Sequence, residues 1–262
     1  MGHVLLGQLP RTREWKQVVG LIRHGAGAAQ VAKASIEAAG KGLRMAGDDK
    51  GVVESVWLMI RVVMAGRTPD FPEALRQLGL NVSNNPGLIE IMGAMSDSLD
   101  AASLTKFRRT DLGEMSQTAV AETISTIIGQ KTSSLFGTST EDVREALGSL
   151  GTEKQFSLFA KHYYGRFVNK CLDYFLSKTL AEHVGDGRRF RTLAEQAEFT
   201  DAMETHCREA SKIVEKYAGE WFCKKRFMTG GKITRKDVEN FHSYAMTKLI
   251  DELKQGAAGH GK

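Results

Sequence analysis

Residues 201–227, DAMETHCREASKIVEKYAGEWFCKKRF, set His206, Cys207 and Cys223 in one stretch, the residue types of a metal site or an activated thiol. Zinc takes four ligands, usually in close-spaced pairs. If 197–226 is one helix, Cys207 and Cys223 lie 16 residues apart, roughly 24 Å along the axis at 1.5 Å per residue. His206 and Cys207 are neighbours and point about 100° apart, so they do not converge either. The expectation is that no metal binds here. Cys223 beside Lys224, Lys225 and Arg226 has the electropositive setting that activates a thiol, but no base stands near it in sequence. A lone cysteine packs as a small hydrophobe, and that plainer account fits Cys171, Cys207 and Cys223 alike.

Glu239 and His242 in ENFH make one Glu-x-x-His pair. A di-iron bundle needs two such pairs and two further glutamates, so a surface Glu and a packed His is the simpler reading. TGGK (229–232) lacks the spacing of a phosphate loop and reads as a turn between helices. The nucleophile-elbow, zincin, dinucleotide and kinase signatures do not occur. A site assembled only by the fold would draw its base from His162, His183, His206 or His242. GDGRRFRT (185–192) is a basic turn in which Arg188, Arg189 and Arg191 could meet phosphates and Phe190 could stack on a base. Together with Lys224, Lys225 and Arg226 it forms the best nucleic-acid or acidic-partner patch in the chain. The competing account buries Phe190 in the core and leaves the arginines as a solvated loop.

At 42% hydrophobic and 26% charged, the 262 residues have the composition of a globular chain with a substantial core. Three cysteines, none in a CxxC pair, argue against a disulfide framework and for a reducing compartment. The start MGHVLLGQLP lacks a basic region and a long apolar run, and Leu6 breaks the myristoylation pattern. The most apolar run, VWLMIRVVMA (56–65), carries Arg61 and has about half the length of a membrane span. The expected location is cytoplasmic, with no membrane partner. The net charge of +5 is unevenly spread: residues 10–45 hold seven basic residues against two acidic ones, and 221–236 hold six against none. Either block could meet an anionic partner or merely face water.

The elements that position these residues are helical. After Pro86 there is no proline, which permits long helices. The stripe Ala32, Ile36, Ala39, Leu43 and Ala46 has helical period, and Val52–Ala65 is apolar on nearly all sides apart from Glu54, Ser55 and Arg61. Asp111 with Glu114, Thr140, Thr152 with Gln155, and Thr234 with Asp237 mark helix starts, while Asn85 and Pro86 suit another. Segment 156–184 is the longest helical pattern, with Phe156, Phe159, Tyr163, Phe167, Cys171 and Tyr174 or Phe175 along one side. HVLLGQL (3–9) alone leaves strand and helix open. Only five of the 20 aromatic residues precede residue 150. The sequence therefore predicts an all-α irregular bundle of two helical subdomains. Residues 1–135 rely on small-residue packing and 136–256 on an aromatic core, with a frayed tail at 257–262.

The order of GAGAAQVAKASIEAAGKGLRMAG, ALRQLGL, PGLIEIMGAMSDSLD, YFLSKTLAEHV and METHCREASKIV resembles the QatB family, the helical B component of Qat-type anti-phage defence operons. That resemblance implies a non-catalytic accessory protein serving an ATPase, a QueC-like protein and a TatD-like nuclease. It implies no catalytic residue and no cofactor, and a modification at Gly2 by the QueC-like partner. Three readings follow: an accessory or scaffold protein of a multiprotein assembly, a nucleic-acid-binding module using the 185–236 surface, or an enzyme whose site forms only in three dimensions.

Overall fold

Serine, threonine and aspartate repeatedly stand one residue ahead of an apolar periodic segment, where a side-chain oxygen can satisfy an orphan backbone N–H. The computed structural model describes residues 12–132 and 139–255. There, Thr12, Asp49, Asp70, Ser139, Thr152 and Thr192 each accept the N–H three residues on. Twelve helices form among the described residues, and these caps open six of them. In chain order they are α1 (Arg13–Arg23), α2 (Ala28–Ala38), α3 (Gly40–Ala46), α4 (Lys50–Ala65), α5 (Phe71–Gln77) and α6 (Leu88–Thr105). Then come α7 (Asp111–Thr132), α8 (Thr140–Ser149), α9 (Glu153–Ala181), α10 (Leu193–Ala210), α11 (Lys212–Met228) and α12 (Arg235–Gln255). No β-strand forms among the described residues, and a single bridge pairs Val184 with Phe190. The all-α class is as the sequence indicates. Gly2, residues 3–9 and the tail at 257–262 lie outside the described residues.

The long helix α9 is the hub. Against it pack α7, α10 and α11, while α4 packs against α7, α8 and α12, and α2 against α1, α10 and α12. The expected subdomain boundary at 135/136 falls in 133–138, outside the described residues. The helices before and after it interleave, and their apolar side chains join one buried cluster. Most of its aromatic residues lie on α9, α11 and α12. Phe156 stacks on Phe222 with ring centroids 4.1 Å apart, Tyr163 on Phe167 at 5.9 Å, and Trp221 on Phe241 at 4.1 Å. Of the two alternatives at the end of the α9 stripe, Phe175 is buried and Tyr174 is 37% exposed. Helices α9 and α11 touch backbone to backbone at Gly219. A Cβ there would sit 2.1 Å from the Glu153 carbonyl oxygen, so only glycine permits the crossing.

Several local expectations change. The Ala-rich segment is not one helix: Ala39 ends α2 and starts α3, with φ −86° and ψ 2°. Gly40 and Gly42 follow it, and glycine propagates a helix poorly. All five residues of its apolar stripe are nevertheless buried. Residues 197–226 are likewise two helices, broken at Ser211, whose hydroxyl donates to the Arg208 carbonyl at 2.7 Å. The start of α6 is at Leu88 behind Gly87, not at Pro86. Thr110 rather than Asp111 accepts the Gly113 N–H at the start of α7, and Ser139 rather than Thr140 forms a full capping box with Asp142.

Candidate interaction surface

The end of α11 carries the sequence CKKRFM into a turn made by Gly230 and Gly231, whose φ values of +58° and +84° suit glycine. Three backbone bonds close the turn: Gly230 N–H to Phe227 O, Gly231 N–H to Arg226 O and Lys232 N–H to Thr229 O. It leads into α12, where Asp237 accepts both the N–H and the hydroxyl of Thr234. Lys225 Nζ pairs with Asp237 at 2.7 Å. The Lys225 and Thr234 bonds hold the Asp237 carboxyl down at about 2. The Arg226 guanidinium donates to the Gly151 carbonyl at 2.8 Å and covers the Phe222 ring. Lys225 and Arg226 thus brace this end of the fold, whereas Lys224 is exposed and makes no ion pair among the described residues.

Phe227 and Met228, next in sequence, are 89% and 69% exposed. Single exposed apolar residues are ordinary on any surface, but an adjacent pair at one helix end is a patch. Beside it stands the end of α4. Met64 lies 3.5 Å from where a Cβ on Gly231 would be, and Arg61 donates Nη1–H to the Gly231 carbonyl at 3.2 Å. Arg235, the first residue of α12, lies over Trp57 with Cζ 3.7 Å from the ring centroid. Glu54 accepts from its Nε and Nη2 at 2.5 and 2.7 Å. That pairing raises the Arg235 pKa, while burial and the Arg235 charge lower that of Arg61. Four cations belong to this end of the fold: Lys224 stands one turn before Phe227 on α11, Lys232 lies in the turn, and Arg61 and Arg235 meet at Trp57.

The second basic segment is elsewhere. Gly185 and Gly187, both at positive φ, let the chain reverse after α9 so that Val184 and Phe190 bridge. Phe190 is 1% exposed and packs against Phe199, so it is a core residue and not a stacking platform. Arg188 donates to the Glu182 carbonyl, Arg189 covers the Phe190 ring and approaches Gly25, and Arg191 is exposed. Arg188 is thus tied just past the last residue of α9, whereas Arg226 is tied to Gly151, just before its first. A helix of 29 residues separates those ends by about 43 Å. The structure does not bring Arg188, Arg189 and Arg191 together with Lys224, Lys225 and Arg226.

Cys171 and Cys207 are buried, and burial pushes both thiols up, Cys207 to about 12, away from the reactive thiolate; Cys223 is half-buried. His242 is fully buried. Its Nε2–H donates to the Ala46 carbonyl at 2.8 Å, which leaves Nδ1 to accept from the Tyr164 hydroxyl at 3.0 Å. Its partner in the motif, Glu239, pairs with Lys236. His183 is buried at the end of α9 and donates to the Thr179 carbonyl, His162 is half-buried on α9, and His206 lies on α10. Among the described residues no group of three or more His, Cys, Asp or Glu side chains could hold a metal ion. No described helix is long and apolar enough to cross a membrane.

Sequence reasoning passed over Trp57, Arg61, Phe227, Met228 and Arg235. The signal was present in α4: Glu54, Trp57 and Arg61 are spaced by three and four, so they share one face of an otherwise apolar helix. No family model, curated protein or solved structure matches the chain.

Proposed function

We propose that the protein is a non-catalytic accessory component of a multiprotein assembly and docks a partner protein through the α11–α12 end. The observation that carries this reading is the exposure of Phe227 and Met228, 89% and 69%, on a helix end fixed by Arg226, Lys225 and the Gly230–Gly231 turn. Burying two such side chains is worth about 1.5–3 kcal/mol each, enough to anchor an interface around them. The cations of this end, Lys224 and Lys232 among them, favour an acidic counterpart. The resemblance to the B component of Qat-type operons is in keeping with this reading; on it the assembly would serve anti-phage defence and Gly2 would be the residue its partner modifies.

The test is purification of the tagged protein from its native host at low salt, beside the double variant Phe227→Ser, Met228→Ser, with intact mass of the chain. A stoichiometric partner held by the wild type and lost by a folded variant supports docking. Equal recovery by both would overturn it. A second reading draws on the same end: Phe227 is an exposed aromatic beside Lys224 and Lys232, which suits stacking on a single-stranded base. Copurified nucleic acid, released by salt and lost with Lys224→Glu and Lys232→Glu, would favour it.

A further inference from the structure

Arg61 is a half-buried guanidinium that no carboxylate among the described residues pairs with. It uses Nη1 on the Gly231 carbonyl, and its Nε is buried with no hydrogen-bond partner. The carboxylate on its own helix face, Glu54, is taken by Arg235 through two parallel bonds. Both guanidiniums lie against Trp57, at 6.0 Å and 3.7 Å from its ring centroid. Two cations and one carboxylate leave a single positive charge in a partly desolvated place. Such a charge is unfavourable alone and favourable once a carboxylate completes it.

We propose that Arg61 receives a carboxylate of the docking partner, which therefore presents an acidic side chain next to an apolar one. This rests on the docking reading above and adds the chemistry of the partner segment. With Nη1 on the Gly231 carbonyl and Nε out of solvent, Arg61 would reach the partner through Nη2 in a single charge-assisted bond, to the kind of group that Arg235 already holds in Glu54. Phe227 and Met228, at the end of α11 ahead of the turn whose Gly231 carbonyl Arg61 holds, supply the apolar half of the contact.

Fluorescence anisotropy of the full chain with three labelled probes tests this: a twelve-residue peptide of alternating Glu and Leu, its Gln–Leu counterpart, and a twelve-nucleotide oligothymidine. The wild type should bind Glu–Leu at least about tenfold more tightly than Gln–Leu. Arg61→Gln should cut that preference to roughly threefold or less, and Phe227→Ser should weaken both peptides alike. Lys232→Glu, at an exposed position, should lower Glu–Leu affinity several-fold and serves if Arg61→Gln does not fold. No peptide binding, an unchanged preference in both charge variants, or oligothymidine binding more tightly through Arg61 would each overturn the inference. An unchanged preference in Arg61→Gln with binding still lost in Phe227→Ser would reject the carboxylate role and leave docking standing. Binding indifferent to Phe227→Ser would reject docking itself.

Discussion

Mild acid should destabilise the protein through His242 before it reaches the carboxylates. The imidazole is fully buried between Ala46 and Tyr164, and burial is the main cause that brings its pKa down to about 4; the Ala46 bond and Asp48 act weakly the other way. An unfolded histidine titrates near 6.5, so the unfolded chain binds this proton first. Stability is therefore complete above pH 6.5, falls as pH drops towards about 4, and changes no further on this account below that. Two and a half pKa units correspond to about 3 kcal/mol. The assay is urea unfolding followed by circular dichroism at four pH values between 7.5 and 4.5, for wild type and His242→Gln. The variant should lose about 1–2 kcal/mol at pH 7.5 with the Tyr164 and Ala46 bonds, yet show a clearly shallower decline with acid. His162, also lowered by burial, contributes in the same direction to both proteins and cancels in the comparison. Equal slopes would refute the reasoning.

Gly219→Ala should destabilise by more than about 3 kcal/mol, because its Cβ would strike the Glu153 carbonyl. Gly93→Ala, with nothing near its Cβ in α6, should instead stabilise by up to about 1 kcal/mol; thermal melts read both. Asp237→Asn should cost about 1–2 kcal/mol at neutral pH through the cap and the Lys225 pair. Because the Asp237 carboxyl is lowered from 3.8 to about 2, that difference should vanish as pH falls through this range. Maleimide at pH 8 should label Cys223 in the native protein, and mass spectrometry that found Cys171 or Cys207 modified without denaturant would contradict their burial.

Local structure was legible where one side chain decides it. Thr152 and Thr234 cap helices because their oxygens reach a nearby N–H, and the stripe Val238, Phe241, Ala245, Leu249 and Leu253 is buried as its period requires. The break at Ser211 was not legible, since a helical pattern runs on past it, and the one at Ala39 was masked by the unbroken apolar stripe despite Gly40 and Gly42. The surface was least legible. GRRFRT and CKKRF each offer an aromatic among cations, and composition does not say which one folds inward. Phe190 does, drawn in by the Val184 bridge and Phe199, and Phe227 does not. Arg61 hid as an exception on an apolar helix until Arg235, far away in sequence, claimed Glu54.

Photocrosslinking in the native host tests docking most directly. Benzoylphenylalanine would be placed at position 227 and, separately, at Leu193, which is 74% exposed at the start of α10, after the 185–192 turn. The account predicts one discrete protein adduct from position 227 and none from position 193. No adduct at 227, the same adduct from both positions, or crosslinks from 227 to nucleic acid alone would contradict it.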